Sequence, residues 1–224
     1  SIAARRAGLA GQRRIVSGSV EAQFDSGMVR FCHDGKQVTE FVQFYTSLLI
    51  GGLWNDSQNL DWGLVERDGD TLRAAGESRR FPFAQHWTME PAEGGVAVRI
   101  ELEARSAFDV SEYQTSIALK ADYDRWQTAA EQGAFPPFDP NQHDWRHANQ
   151  QYPPGTRIKA LSKNLPSVTL EATVADPVFR MTAINTGFHQ QARVLQALHV
   201  PDAGLLRFEP GRHLYFEGVV LISN

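Results

Sequence analysis

The sequence predicts a mainly β protein: a large antiparallel β-sandwich with one or two short helices and a long proline-rich loop. Three observations carry this. Apolar and polar residues alternate with period 2 through most of the 224 residues, which sends successive side chains to opposite faces of a sheet. Turn signals recur roughly every 10–15 residues, too closely for the intervening helices that parallel βαβ units require. With 42% hydrophobic and 21% charged residues, the composition is that of a chain with a substantial core, which excludes disorder, collagen and coiled coil.

Taken in order, the first strand candidates cover residues 15–24 and 28–33. Asp34-Gly35-Lys36 separates the second from 37–45, and Asp68-Gly69-Asp70 separates 62–67 from 71–77. Asp-Gly supplies the positive φ that a tight hairpin turn needs. Gly51-Gly52 marks another turn. Residues 81–90 and 96–103 form a hairpin around Pro91-Ala92-Glu93-Gly94-Gly95; Val96, Val98, Ile100 and Leu102 face inward, and Arg99, Glu101 and Glu103 face water. Residues 112–120, 156–162, 167–174, 178–184, 205–208 and 213–222 complete a set of about a dozen strands.

One segment reads as a helix. Asp122 caps it, Tyr123, Trp126 and Ala130 share a face, and Gly133 ends it. A second short helix is expected over 188–198, where Val194, Leu195 and Leu198 cluster, although a strand over 192–198 fits nearly as well. The stretch 132–155 holds Pro136, Pro137, Pro140, Pro153 and Pro154 among Phe135, Phe138, His143, Trp145, His147 and Tyr152. Proline bars it from a central strand, while its aromatic rings gain by packing. It is expected to be an ordered loop lying over one sheet or an edge.

The organisation expected is a linker or arm over residues 1–14, basic through Arg5, Arg6, Arg13 and Arg14, followed by a β-sandwich domain over 15–224. A net charge of −4 argues against an electrostatic nucleic-acid binder. No apolar run approaches the roughly 18 residues of a membrane span. A single cysteine, Cys32, provides neither an internal disulfide nor a thiolate metal site; it is expected to be a small core residue of its strand. With no secretory core in the first residues, a cytoplasmic location is slightly favoured.

Catalytic motifs are sparse. There is no Gly-x-Ser-x-Gly elbow and no glycine-rich phosphate cradle, so no cofactor is expected. His143 and His147, four apart, would share a metal only on a helix, which the surrounding prolines oppose; no metal is expected. Asp56, Asp61, Glu90, Asp139 and Asp144 are candidates for paired-carboxylate chemistry, but their spacing fixes no separation. The tryptophans say more. Trp62 and Trp87 lie in alternating strands and read as core, and Trp126 faces inward from its helix. Trp54 and Trp145 lie in loops beside short polar groups, a combination suited to the C–H faces and hydroxyls of a sugar.

The long run of strands leading through Ser116-Ile117-Ala118-Leu119 into the Tyr123/Trp126 segment, then the proline-rich loop, Leu165-Pro166-Ser167, Ala192-Arg193-Val194-Leu195 and the terminal Tyr215-Phe216-Glu217-Gly218, resembles the galactose mutarotase-like β-supersandwich and the accessory sandwiches of bacterial glycan-handling proteins. The resemblance covers about residues 15–223. It implies an open sheet face over which such epimerases set a histidine and a glutamate. No residues here match those roles one by one, so no catalytic residue is carried over. The expectation is a non-catalytic, carbohydrate-associated domain that binds a glycan through Trp54, Asp56, Asp144, Trp145, Arg146 and His147, or positions neighbouring domains. The alternative is an epimerase, lyase or hydrolase on the same fold, with His86, His143 and His147 and with Glu90 or Asp144 as acid and base. A homodimer through an exposed sheet edge is a third expectation.

Overall fold

The computed structural model describes residues 2–4, 13–63 and 65–224. The expected arm over 1–14 therefore lies largely outside the described residues. The strands in chain order are β1 (Arg14–Ser17), β2 (Val20–Asp25), β3 (Met28–His33), β4 (Lys36–Gln37), β5 (Thr39–Ile50), β6 (Leu53–Asp56), β7 (Asp61–Trp62), β8 (Glu66–Asp68), β9 (Thr71–Glu77), β10 (Phe83–Ala92) and β11 (Gly95–Ala104). There follow β12 (Phe108–Val110), β13 (Glu112–Lys120), β14 (Arg125–Thr128), β15 (Gln132–Ala134), β16 (Arg146–His147), β17 (Arg157–Leu161), β18 (Ser167–Ala172), β19 (Arg180–Asn185), β20 (Ala192–His199), β21 (Leu206–Phe208) and β22 (Gly211–Ser223).

They build two ten-stranded antiparallel sheets and a small two-stranded one that pairs β12 with the distant β21. The first sheet runs β1-β2-β3-β5-β13-β20-β19-β16, with β4 beside β3 and β6 beside β5. The second runs β15-β14-β17-β18-β22-β11-β10-β9-β7, with β8 beside β9. The large antiparallel sandwich expected from the sequence is the fold, and no helix among the described residues is long and apolar enough to cross a membrane.

Both expected helices are corrected. Residues 125–134 form the β14–β15 hairpin, which pairs Trp126 with Gly133. A methyl group on Gly133 would meet the Trp126 ring at 2.7 Å, so the glycine serves as a platform for the indole rather than as a helix stop. Residues 192–199 are strand β20, buried on both faces from Ala192 to Leu198. The helical residues that are described lie elsewhere, at 2–4 and in a 3₁₀ turn over Ser57–Asn59. Cys32 is corrected as well: Val29 and Phe31 point into the core, whereas Cys32 lies between them and His33, half-exposed on the other face.

The core lies between the sheets. Phe24, Phe31, Phe44, Leu48, Ile117 and Leu195 of the first sheet meet Leu72, Trp87, Val98, Ile100 and Phe216 of the second. Trp87 packs edge-on against Phe24, Phe44 and Trp62 at 5.8, 5.7 and 5.3 Å, the geometry that aromatic quadrupoles favour. Trp87 is a core residue, as expected, whereas Trp62 is partly buried and packs against the core from its margin. A bulge where β22 shifts register against Ile100 and Glu101 turns the adjacent Tyr215 and Phe216 both inward. The fully buried Tyr215 hydroxyl then reaches across the core to the carbonyls of Gln114, at 2.7 Å, and Ser47, at 3.0 Å. Tyr215 therefore ties the second sheet to β5 and β13.

A second anchor fixes the chain just after β6. The Ser57 hydroxyl donates to the Gly27 carbonyl at 2.6 Å and accepts from the Thr46 amide at 3.0 Å, while Trp62 Nε1 donates to the Ser57 carbonyl at 2.8 Å. Gly27 sits at φ +82, and a Cβ there would lie 2.3 Å from the Ser57 carbonyl oxygen. Gly27→Ala is expected to cost more than about 2 kcal/mol, from left-handed strain plus the displaced anchor, read as a lowered midpoint in urea unfolding. Gly35→Ala, also at positive φ but with open space around it, is expected to cost only the strain, about 1 kcal/mol.

Candidate functional site

The outer face of the first sheet carries the site. Register places its outward residues in rows across the strands. Trp54 of β6, Leu49 of β5 and Glu112 of β13 form one row. Asp56, Ser47, Gln114, Leu198 of β20 and Arg180 of β19 form the next. Tyr45, Ser116, Gln196 and Thr182 form a third, and Val194, Ile184 and His147 of β16 a fourth. Strands β13 and β20 are buried on this face as well as on the core face, because something covers them.

The cover is the proline-rich stretch, an ordered flap as the sequence led one to expect. Prolines cannot supply a ladder of amide donors, so buried side chains supply the bonds instead. Gln142 Nε2 lies 2.9–3.2 Å from the carbonyls of Asp144, Asn185 and Thr186. Asn149 accepts from the Ala183 amide at 3.0 Å and donates to the Met181 carbonyl at 3.2 Å. Arg193 donates to the Pro136 carbonyl at 2.6 Å and to the Asn185 side chain, with its guanidinium 4.1 Å from the Phe138 ring centre. Burial lowers the Arg193 pKa to about 10, which leaves it charged at neutral pH. Between these pins the backbone of His143 comes so close to Gly187 that a Cβ there would lie 2.7 Å from the His143 carbonyl oxygen.

A cavity of about 490 Å³ lies between this flap and the β5–β6 hairpin. Its walls include Trp54, 46% exposed, and Trp145, whose Nε1 donates to Gln190 Oε1 at 2.9 Å. Asp56, Glu112, Asp144 and His147 also line it, and Tyr45, Gln114 and Gln196 form much of its floor. Gln196 donates to the Ser116 hydroxyl at 3.1 Å. At one end Ile184, with Ala118, Ala192 and Val194, makes an apolar patch on which Val42 and Trp145 pack. Val42 reaches it from an irregular stretch of β5, where Phe41 and Gln43 take φ of 54 and 58 and the register with β13 breaks.

Burial sets the charge states here. Asp56 accepts from the Ser47 hydroxyl, yet its carboxyl is pushed above the usual carboxylate range, because loss of water outweighs that bond. Burial likewise pushes Glu112 up; His147 is exposed at the rim, and the partial loss of water on its covered side draws it below the usual imidazole range, with its ring stacked on Tyr152 at 4.9 Å. The Tyr45 phenol is pushed far up, first by burial and then by the nearby Asp56, with the Ser116 hydroxyl opposing.

Five of the six expected ligand-binding residues, Trp54, Asp56, Asp144, Trp145 and His147, line this one cavity; Arg146 does not. Trp54 is in strand β6 rather than in a loop. The acid–base candidates divide: His147 and Asp144 line the cavity together with Asp56, and the others lie elsewhere. His86 pairs with Glu103 at 2.7 Å on the outer face of the second sheet, the layer that also carries Glu90, and His143 is outside the cavity lining. Asp61 pairs with Arg79, and Asp139 closes a turn onto the Asn141 amide at 2.9 Å. Tyr45, Glu112, Gln114 and Gln196 went unnoticed in the sequence. Their signal was a polar residue inside a strand too apolar to face solvent on either side.

The sequence matches no protein-family model and no curated protein. Solved structures do match in shape. A putative aldose 1-epimerase from Escherichia coli K12 has a TM-score of 0.61 at 12% identity, over 94% of this chain and 98% of that one. A galactose mutarotase-like protein from Lactobacillus casei gives 0.58 at 10%, over 93% and 99%. A GH36 α-galactosidase from Geobacillus stearothermophilus gives 0.56 at 10%, over 94% of this chain but 39% of the larger enzyme. These likenesses establish the fold as the galactose mutarotase-like supersandwich.

The raised carboxyls make stability depend on pH. A carboxyl whose folded pKa exceeds its unfolded value favours folding below the unfolded pKa, and that contribution is lost as pH rises through the folded pKa. These two carboxyls therefore contribute stability that declines as pH rises above the ordinary carboxylate range, whereas His147, held low, contributes in the opposite sense through the imidazole range; the double variant Asp56→Asn, Glu112→Gln is expected to remove the first contribution and to melt higher at pH 7, read by thermal melting across pH.

Proposed function

We propose that this chain is a non-catalytic carbohydrate-binding sandwich whose ligand occupies the cavity on the outer face of the first sheet. The observation that carries the reading is that Trp54 and Trp145, which are far apart in sequence, line one cavity. Its volume of about 490 Å³ falls within the range of small-ligand sites. Indole faces suit the C–H patches of a pyranose, and the amides of Gln114 and Gln196 with the carboxyls at the rim suit its hydroxyls. The floor on the central strands carries amides, hydroxyls and a phenol pushed far above neutrality, none of which is a proton carrier near pH 7. That absence at the centre favours binding over chemistry. The neighbouring structures include both a putative epimerase and a domain-sized part of an α-galactosidase, so the fold itself is used in both settings, and a role beside other sugar-handling domains is in keeping with the second.

Titration calorimetry against a panel of mono- and oligosaccharides tests this. Micromolar to millimolar binding is expected, weakened at least about tenfold by Trp54→Ala or Trp145→Ala, since a stacked ring contributes on the order of 1.5 kcal/mol. A folded protein that binds no saccharide would sink the reading.

One observation favours an enzyme on the same fold: the rim holds two carboxyls pushed up and an imidazole kept neutral, a pairing suited to acid and base roles. Exchange NMR between sugar anomers decides the matter. Under the binding reading, catalytic amounts of protein leave the exchange rate unchanged; acceleration that is abolished by Glu112→Gln would establish the enzyme instead.

A further inference from the structure

The charge around the cavity is one-sided. Asp56, Glu112 and Asp144 line it, while no lysine or arginine does, and none of the three carboxylates takes part in an ion pair among the described residues. The cations nearest in the chain are engaged elsewhere or lie outside the lining. Arg180, at the far end of the Asp56 row, donates to the Tyr152 carbonyl at 3.2 Å. Arg146 precedes His147 in β16 but does not line the cavity. Three carboxyls without a cationic partner in one recess leave the local potential negative.

A second, independent feature points to a ligand at the same corner. Gln114 is 8% exposed and lines the cavity. Its backbone carbonyl accepts from Tyr215, while its side-chain amide makes no hydrogen bond to the described residues and is open to the cavity rather than sealed off, which leaves its donors and acceptor free for a guest. Gln114 stands two residues from Glu112 on the same face of β13 and shares a row with Asp56, while Trp54 shares the row of Glu112. An indole face, two carboxyls and a free amide thus meet at one corner. No three carboxylate, imidazole or thiol groups among the described residues come together as a metal site, so an organic cation is the better match.

We infer that the cavity takes an amino sugar, with its ammonium group held at the Asp56–Glu112–Gln114 corner and its ring against Trp54, and that it turns away acidic sugars. This rests on the proposed saccharide site and adds the class of saccharide. An ammonium offers three donors to acceptors that lack a positive partner. A uronate or sugar phosphate would bring a further negative charge into the same recess.

The test is calorimetry on the whole chain with glucosamine, galactosamine and mannosamine, each against its parent hexose, its N-acetyl derivative and the matching uronic acid at pH 7. At least one amine is expected to bind about tenfold tighter than its parent hexose and its N-acetyl derivative, with the uronic acid weakest. Raising the salt from about 0.05 to about 0.5 M, which shortens the Debye length roughly threefold, should narrow the amine-to-hexose ratio in the unaltered protein. Glu112→Gln and Asp56→Asn should each narrow it severalfold, with thermal melting confirming that each variant is folded. Hexoses bound as tightly as their amines, or uronic acids bound as tightly as hexoses, would overturn the inference while leaving the saccharide site intact. A folded protein that binds none of the panel would remove both.

Discussion

The cavity exists because a segment rich in proline can lie across a sheet without leaving backbone polar groups stranded. A flap of ordinary composition would pair as another strand. Beyond β15, residues 135–155 mostly do not: Arg146 and His147 join the ladder against Asn185 and Ile184, Pro154 adds one isolated bridge to Arg180, and the Ala148 and Gly155 amides reach the Ala183 and Phe179 carbonyls. Elsewhere the bonding is transferred to Gln142, Asn149 and Arg193, which reach carbonyls and amides that a strand would otherwise have met. A buried group left unbonded costs on the order of 1–3 kcal/mol, so these three side chains decide where the flap rests. Because they hold it at points rather than along a line, space remains beneath it near Trp145.

The floor imposes its own constraint. Strands β13 and β20 must be apolar enough to bury both faces, yet the outer face also presents Gln114, Ser116 and Gln196. Tyr215 compensates from the other layer by bonding the Ser47 and Gln114 carbonyls, which holds β5 and β13 rigid under the site. Asp56 and Glu112 run against stability, since burial disfavours their ionised forms. Groups that oppose folding and converge on one recess are what a binding site built into a stable scaffold would contain.

Much of the sandwich was legible in the sequence because most strands bury one face. Residues 71–77, 96–103 and 112–120 are strands nearly as alternation and turn chemistry placed them, and the Asp-Gly turns at 34–35 and 68–69 are hairpins with glycines at positive φ. The failures have physical causes. Strand β14 has four residues, too few to display period 2, so the helical spacing of Tyr123, Trp126 and Ala130 stood unopposed. In fact Tyr123 and Trp126 are buried separately, Tyr123 donating to the Pro166 carbonyl at 2.7 Å. Strand β20 buries both faces, and its buried polar residues, Arg193 and Gln196, stand three apart, a spacing that breaks period 2. At the site, Trp54, Asp56, Asp144, Trp145 and His147 could be picked from their aromatic and polar company. Glu112, Gln114 and Gln196 stand out only as polar residues in apolar strands, and that they share one recess depends on register between strands distant in sequence.

The two walls of the cavity hang from the sheet's margins, whereas the floor belongs to its centre. The β5–β6 hairpin turns at Gly51-Gly52, both at positive φ with open space where a Cβ would be, and the flap meets the sheet through the two-residue β16. Lengthening or replacing either margin would redraw the mouth of the recess without disturbing the layer contacts beneath. Such a division of labour leaves the shape of the mouth free to change while the framework beneath it stays constant.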